Sequence, residues 1–335
     1  MNDTEVLSAA TEIIAHGLGA AERDPHPLAE QLKRTPLTAV ALAVARSGAQ
    51  ARPNEAERSA IVRGMLTSEF QNALIDGMQL LVQRKFETSA RHRAFCSMID
   101  CTDFGEQSIA SGVGSFNLPE TNEGAELESR PVKISAGTGV AKLRTFGRIL
   151  SFSRELLVND NVRLVTSALS AGAYAAAALE ARLVYSALES SSLLDDGGPV
   201  FHLDYGNVVE AALDKDTLGQ AVDLLARQVD GDGNFGDLQP KHLTVESGLA
   251  VAASRLIRES GLPIHVTATA NLPAGRWYVH ADHMDHPAIG VLRLEGKDAP
   301  AVVFKQTGGG AFAYRLIHDT EAVMLGRTGI VRGGV

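Results

Sequence analysis

The chain has 335 residues, 45% of them hydrophobic, with a net charge of −9 and a pI near 5.6. That supplies a core for one large or two medium domains, while the acidic balance excludes tight electrostatic wrapping of nucleic acid. Two cysteines, Cys96 and Cys101, exclude a disulfide framework, and an acidic N-terminus without an apolar run excludes an ordinary secretory signal.

Residues 1–66 read as helical pieces separated by breaks. Val6, Ile13, Ile14 and Leu18 have helical spacing, TPLTAVALAVARSG is a short apolar helix closed by Gly48, and QARPNEAERS reads as an exposed linker. TSEFQNALIDGMQLLVQRKFE predicts an amphipathic helix capped by Thr67 or Ser68, with Leu74, Ile75, Met78, Leu81, Val82 and Phe86 on one stripe. The two thiols have no second Cys/His pair at zinc spacing and read as buried and free, as in a reducing compartment.

Residues 104–154 change character. They are rich in Gly, Ser and Thr and predict extended structure with segregated charge. The first arm carries only acids, Glu106, Glu120, Glu123, Glu126 and Glu128; the second carries only bases, Arg130, Lys133, Lys142, Arg144, Arg148 and Arg154. If the arms pair antiparallel, opposite charges face across the ladder, each pair worth a few tenths to ~1 kcal/mol. The same asymmetry suits docking onto a neighbour, and a merely solvated face is the competing reading. Glu120, Glu123, Glu126, Lys142, Arg144, Arg148 and Arg154 are the candidate contact residues.

Phe146, Ile149 and Phe152 suit a twisted strand. Asn159, Asp160 and Asn161 then compete as N-caps for a helix running from Val162 to about Ser190, ~43 Å long at 1.5 Å per residue. Its uncharged core, Leu164–Leu179, is too short and too rich in small residues for a membrane span, so a soluble, cytoplasmically made protein without a membrane partner is expected. DTLGQAVDLLARQV and VESGLAVAASRLIRESG predict two more helices, the second stopped by Gly261. KHLTV, PIHVTATA, RWYVHA, AIGVLRLEG, AVVFKQ, FAYRLIHD and AVMLGR predict strands. Helices and strands mix without regular alternation, which favours an α+β fold.

Enzymatic signatures are weak. HADHMDH gathers His280, Asp282, His283, Asp285 and His286, residue types that ligate metals, but without a helical HExxH frame. DGDGNFGD fails as a calcium loop, because its sixth and twelfth positions are Phe235 and Lys241. GTGVAK and TGGGA (Thr307–Ala311) lack phosphate-loop spacing and read as turns. No catalytic residue, cofactor or metal is assigned.

Ordered stretches carry a resemblance. Glu120, Glu123, Gly124 and Glu126, then Thr145–Asn161 (TFGRILSFSRELLVNDN), then PVFHLDYGN, QPKHLTVESGLAVAA and RWYVHADHMDHPAIGVLRLEGKDAP resemble the major capsid proteins of tailed bacteriophages. They are most similar to the Mu-like head-subunit branch and its prohead-protease fusion relatives. The likeness spans about residues 67–330 and covers residues 1–66 poorly. It implies an HK97-type fold: a helical arm or scaffold-like segment at 1–66, an N-arm and amphipathic helix at 67–103, an extended E-loop at 104–148, a P-domain at 149–200 and 300–335 built on the Val162 helix, and an A-domain at 201–299. It also implies homo-hexamers and homo-pentamers that enclose double-stranded DNA without reading its sequence. A portal, a scaffold or prohead protease and a decoration protein are the further partners implied. The product would be a virion capsid assembled in the host bacterial cytoplasm. An encapsulin-like compartment shell is the alternative on the same fold. A soluble metallohydrolase using His280, Asp282, His283 and His286 is the alternative from another class.

Overall fold

The computed structural model describes residues 10–17, 37–47, 56–65, 67–110, 138–153, 162–191, 193–194, 196–229, 233–305 and 311–334. The chain divides into two units. Unit one holds residues 1–89, 145–178 and 297–319; unit two holds 90–144, 179–296 and 320–335.

Unit one is built around the amphipathic helix. Helices α1 (Ala10–Gly17), α2 (Leu37–Ser47) and α3 (Glu57–Met65) precede α4 (Ser68–Ser89). The expected linker therefore ends inside α3, which starts at Glu57. Thr67 caps α4, its Oγ1 accepting from the Phe70 N–H at 3.3 Å. The stripe Leu74, Met78, Leu81, Val82 and Phe86 is fully buried, each side chain contributing roughly 1.5–3 kcal/mol on leaving water. Strand β4 (Arg144–Ser153), β10 (Ala301–Lys305) and the first part of β11 (Ala311–Met324) make the sheet portion of this unit. β10 pairs antiparallel with β11, Ala301 opposite Ile317 and Lys305 opposite Ala313, and β4 also pairs with β11. Phe152 and Phe304 bracket the buried Tyr314 ring at 6.2 and 5.7 Å. Gln79 of α4 reaches β10 with both ends of its amide: Nε2 donates to the Pro300 carbonyl at 3.0 Å, and Oε1 accepts from the Val302 N–H at 2.8 Å. The long helix α5 (Val162–Glu189) begins here, burying Val165, Leu169 and Ala173. The cap candidates Asn159, Asp160 and Asn161 lie outside the described residues.

Unit two holds the remaining sheets. β1 (Ser97–Cys101) runs parallel to β9 (Ile289–Leu294), which pairs antiparallel with Thr320–Met324 of β11. A second sheet has the order β5 (Val208–Val209), β12 (Ile330–Gly333), β8 (Trp277–His280), β6 (His242–Glu246), β7 (His265–Thr269). One face packs Tyr278, Ile330 and Val208 on Phe95, Tyr185 and Leu188. The other packs Trp277, Val279, Val331 and Leu243 on helices α6 (Lys215–Ala226) and α7 (Ala250–Ser260). Asp214 and Thr217 form a reciprocal capping box at the start of α6. Gly261, at φ +71°, ends α7 in the left-handed conformation that glycine tolerates best. β2 (Gln107–Ala110) and β3 (Thr138–Ala141) form a separate antiparallel pair.

Three readings change. FAYRLIHD and AVMLGR are one strand, β11, because the intervening polar residues find partners: His318 packs edge-on against Phe86 at 5.1 Å, and the Asp319 carboxylate accepts from Thr145 Oγ1 at 2.7 Å. Thr138–Ala141 of GTGVAK is strand β3, not a turn. β1 and β12 were not anticipated.

Candidate assembly site

The segregated-charge segment is anchored where β2 meets β3, with Gln107 opposite Ala141 and Ala110 opposite Thr138. Asp103 sets up the entry, its Oδ1 accepting from the Gly105 N–H at 2.8 Å and from Gln107 Nε2 at 3.0 Å. Ile109 and Ala141 pack on Cys101, Leu143 and Leu292, giving the pair an apolar root. Gly139 passes so close to the Met324 carbonyl that any Cβ would overlap it. The root is therefore fixed against β11 by a backbone approach only glycine permits.

The contact candidates divide. Glu120, Glu123, Glu126 and Arg154 lie outside the described residues. Lys142 and Arg148 are exposed. Arg144 is engaged within the chain: its guanidinium forks onto Glu321, Nε to Oε2 and NH2 to Oε1 at 3.0 Å, with half of the arginine exposed. Val140 of unit two is 59% exposed, and Ile149 of unit one is 47% exposed. A cleft of about 470 Å³ opens between β3, the last turns of α5 and the end of β11, lined by Lys142, Arg144, Leu183, Ser186, Leu193 and Glu321.

The His/Asp stretch folds as a turn between β8 and β9. His280 is buried and stacks on Phe95 at 4.6 Å. Asp282 closes the turn, accepting from the Met284 N–H and from Lys241 Nζ, each at 3.1 Å; these hold its carboxyl below the usual range. Among the described residues no group of three His, Cys, Asp or Glu is placed to hold a metal ion. This corrects the metallohydrolase reading of His280, Asp282, His283 and His286: the strand end buries one ring, and the turn commits the carboxylate. Cys96 and Cys101 are free and buried. Burial, then the nearby Glu180, pushes the Cys96 thiol well up, so it stays protonated and inert.

A model of the family described as "Phage capsid protein" matches residues 137–333.

The chain belongs to the phage capsid protein family.

No curated protein matches it by sequence. Among solved structures it is similar to a phage-related protein from Bordetella bronchiseptica RB50, with 12% identity and a TM-score of 0.50 over 76% of this chain and 95% of that one. It is also similar to the virus-like particle protein from Pyrococcus furiosus (10% identity, TM-score 0.48, 77% of this chain, 98% of that one) and to the capsid of Myoviridae phage XM1 (14%, 0.43, 74% and 92%). The protein is a major capsid protein of HK97-type α+β fold, a virion component.

In this capsid protein α5 is the one described helix long and apolar enough to cross a bilayer, yet its contacts are those of a core helix. Val184, Tyr185 and Leu188 are buried among the strands of unit two. Glu180, at 1% exposure, receives Arg93 Nε at 2.5 Å and Arg93 NH2 at 2.8 Å, and pairs with His92 Nε2 at 2.8 Å. This buried network was missed from sequence. Its signal was an acid set among the helix's alanines, although nothing local named its partners.

Proposed function

We propose that the chain is the major head subunit of a tailed phage or prophage, forming the hexamers and pentamers of an icosahedral shell around double-stranded DNA, and that it has no catalytic role. The match to the phage capsid family over residues 137–333 carries this reading. The domain assignment is part of it: a helical arm at 1–66, an N-arm at 67–103, the E-loop at 104–148, the P-domain at 149–200 and 300–335, and the A-domain at 201–299. The β2–β3 root supports the E-loop placement. An isolated two-stranded ribbon is marginal in water, so the β2–β3 pair gains stability when sister subunits cover it.

Glu120, Glu123 and Glu126, with Lys142, Arg148 and Arg154, are the proposed contacts between subunits. Arg144 takes a narrower role, since its fork to Glu321 must be exchanged before it can bind a neighbour. Assembly in the host cytoplasm and partnership with a portal, a scaffold or protease and a decoration protein complete the reading. The test is electron microscopy of the expressed protein, wild type against Arg148→Glu combined with Lys142→Glu. Closed particles from the wild type and soluble, unassembled subunits from the variant are expected. Normal particles from the variant would remove the charge-docking contacts, and particles carrying protein cargo in place of nucleic acid would replace the head subunit with a compartment shell.

A further inference from the structure

One cross-strand row of unit two's larger sheet is filled by histidines. His280 of β8 stands opposite His242 of β6, which stands opposite His265 of β7. Directly paired strand residues point to the same face. The rings of His242 and His265 are 5.6 Å apart, and a fourth ring, His283 from the following turn, lies 6.5 Å from His242. His242 is 6% exposed and His280 2%. His242 Nδ1, His280 Nε2, His283 Nδ1 and the nearby Thr244 Oγ1 are buried without a hydrogen-bond partner. A buried polar atom left unpaired is costly, and four in one place mark a patch that the surrounding fold tolerates only while it is uncharged.

The surroundings offer little to a protonated ring. On β6 the neighbour is Lys241, of the same sign. From the turn comes Asp282, whose Oδ1 lies 3.8 Å from His283 Nδ1 and which partly offsets the cations near His242, while the same carboxylate also takes Lys241 Nζ and the Met284 N–H. From β1 comes the Ser97 hydroxyl, donated to the His283 carbonyl at 2.7 Å. The segment before β1 presents the Phe95 ring and the protonated Cys96 thiol. From α5 come Tyr185 and Glu189; the Glu189 carboxylate accepts from Tyr278 Oη at 2.6 Å and pairs with Arg276 at 3.3 Å. Glu180 on the same helix is held by Arg93 and His92. Arg332 of β12 adds a further cation over Phe201. Burial first, then His265 and His283, lowers His242 to about 4; burial, then His242 and His283, lowers His280 to about 3.

We propose that this histidine row is an acid-sensitive latch: neutral rings keep β8, β6 and β7 together, and proton entry parts them. The sign follows from linkage. Both rings bind protons more weakly folded than unfolded, so their contribution is intact above the ordinary histidine range near 6.5. It is lost as pH falls toward 4 and 3. Each ring raises the opening constant up to about tenfold per pH unit, the two together about a hundredfold.

Trp277, the only tryptophan, is fully buried on β8 and reports the event. In the full-length protein its emission should shift to the red on acidification below pH ~6.5 with that steepness. His242→Leu combined with His280→Phe should move the midpoint down by about one pH unit or more, while His202→Gln leaves it in place. An unmoved midpoint in the double variant overturns the latch. Should that variant fail to fold, hydrogen exchange on the wild type decides. Amides of 242–246 and 277–280 losing protection at a higher pH than those of 289–294 is the expected result. Simultaneous loss across both segments overturns it.

Discussion

Unit two carries the same arginine–carboxylate fork in opposite settings. Around Glu180 the pair is sealed: the acid is 1% exposed and Arg93 18%. At the hairpin root the fork between Arg144 and Glu321 is open, with the arginine 52% exposed. In the sealed setting the Glu180 carboxylate cannot turn to water, so it depends on the cations around it, and the cluster enforces one arrangement of helix and strands. In the open setting water replaces a lost partner, so the pair adds little to stability and its arginine remains exchangeable. The contrast separates charges that hold the fold from charges open to solvent and exchange.

The largest expected effect breaks the sealed pair. Glu180→Gln removes the buried carboxylate on which Arg93 and His92 converge and should cost about 3–5 kcal/mol, read as a lower denaturation midpoint with an unchanged slope. A loss below about 1 kcal/mol would mean that the interior is wetter than its burial indicates. The intermediate case is Asp196, where Arg327 donates at 2.5 and 2.8 Å to a partly exposed carboxylate. The arginine hydrogen bonds, with help from the Gly198 N–H, lower this carboxyl to about 2 from the ordinary 3.8. Its stabilisation is therefore present above pH ~3.8 and lost as pH falls toward 2. Asp196→Asn should cost about 1 kcal/mol at neutral pH and flatten the acid limb of the stability curve in that window. Smallest is Arg144→Ala, expected to change subunit stability by no more than about 1 kcal/mol. A larger loss in unassembled subunits would show the open fork to be structural after all.

Local pattern revealed much of this molecule. α5 needs only alanine-rich helix propensity, and the structure returns Val162–Glu189 against an expected Val162 to Ser190. Gly261 stops α7 where a left-handed cap was expected. What escaped depends on distant partners. The run His318–Glu321 looks like a break because its satisfaction comes from Phe86, Thr145 and Glu180, far away in sequence. β12 is short and flanked by glycines, so only its pairing with β8 and β5 makes it a strand. At the candidate site, the segregation of charge and the cation Arg144 are legible in the sequence, while Arg144's engagement within the chain is not. Its acid partner, Glu321, is not legible either, because 177 residues separate the two.

The amide of Gln79 has a consequence of its own. β10 pairs with β11 along one side, and on its other side the Pro300 carbonyl and the Val302 N–H meet a side chain instead of a strand. One glutamine thus impersonates a short length of backbone and blunts an edge that would otherwise template sheet-to-sheet polymerisation. On the proposed head-subunit role such a stopper has a particular use, since promiscuous ribbon growth would compete with ordered closure.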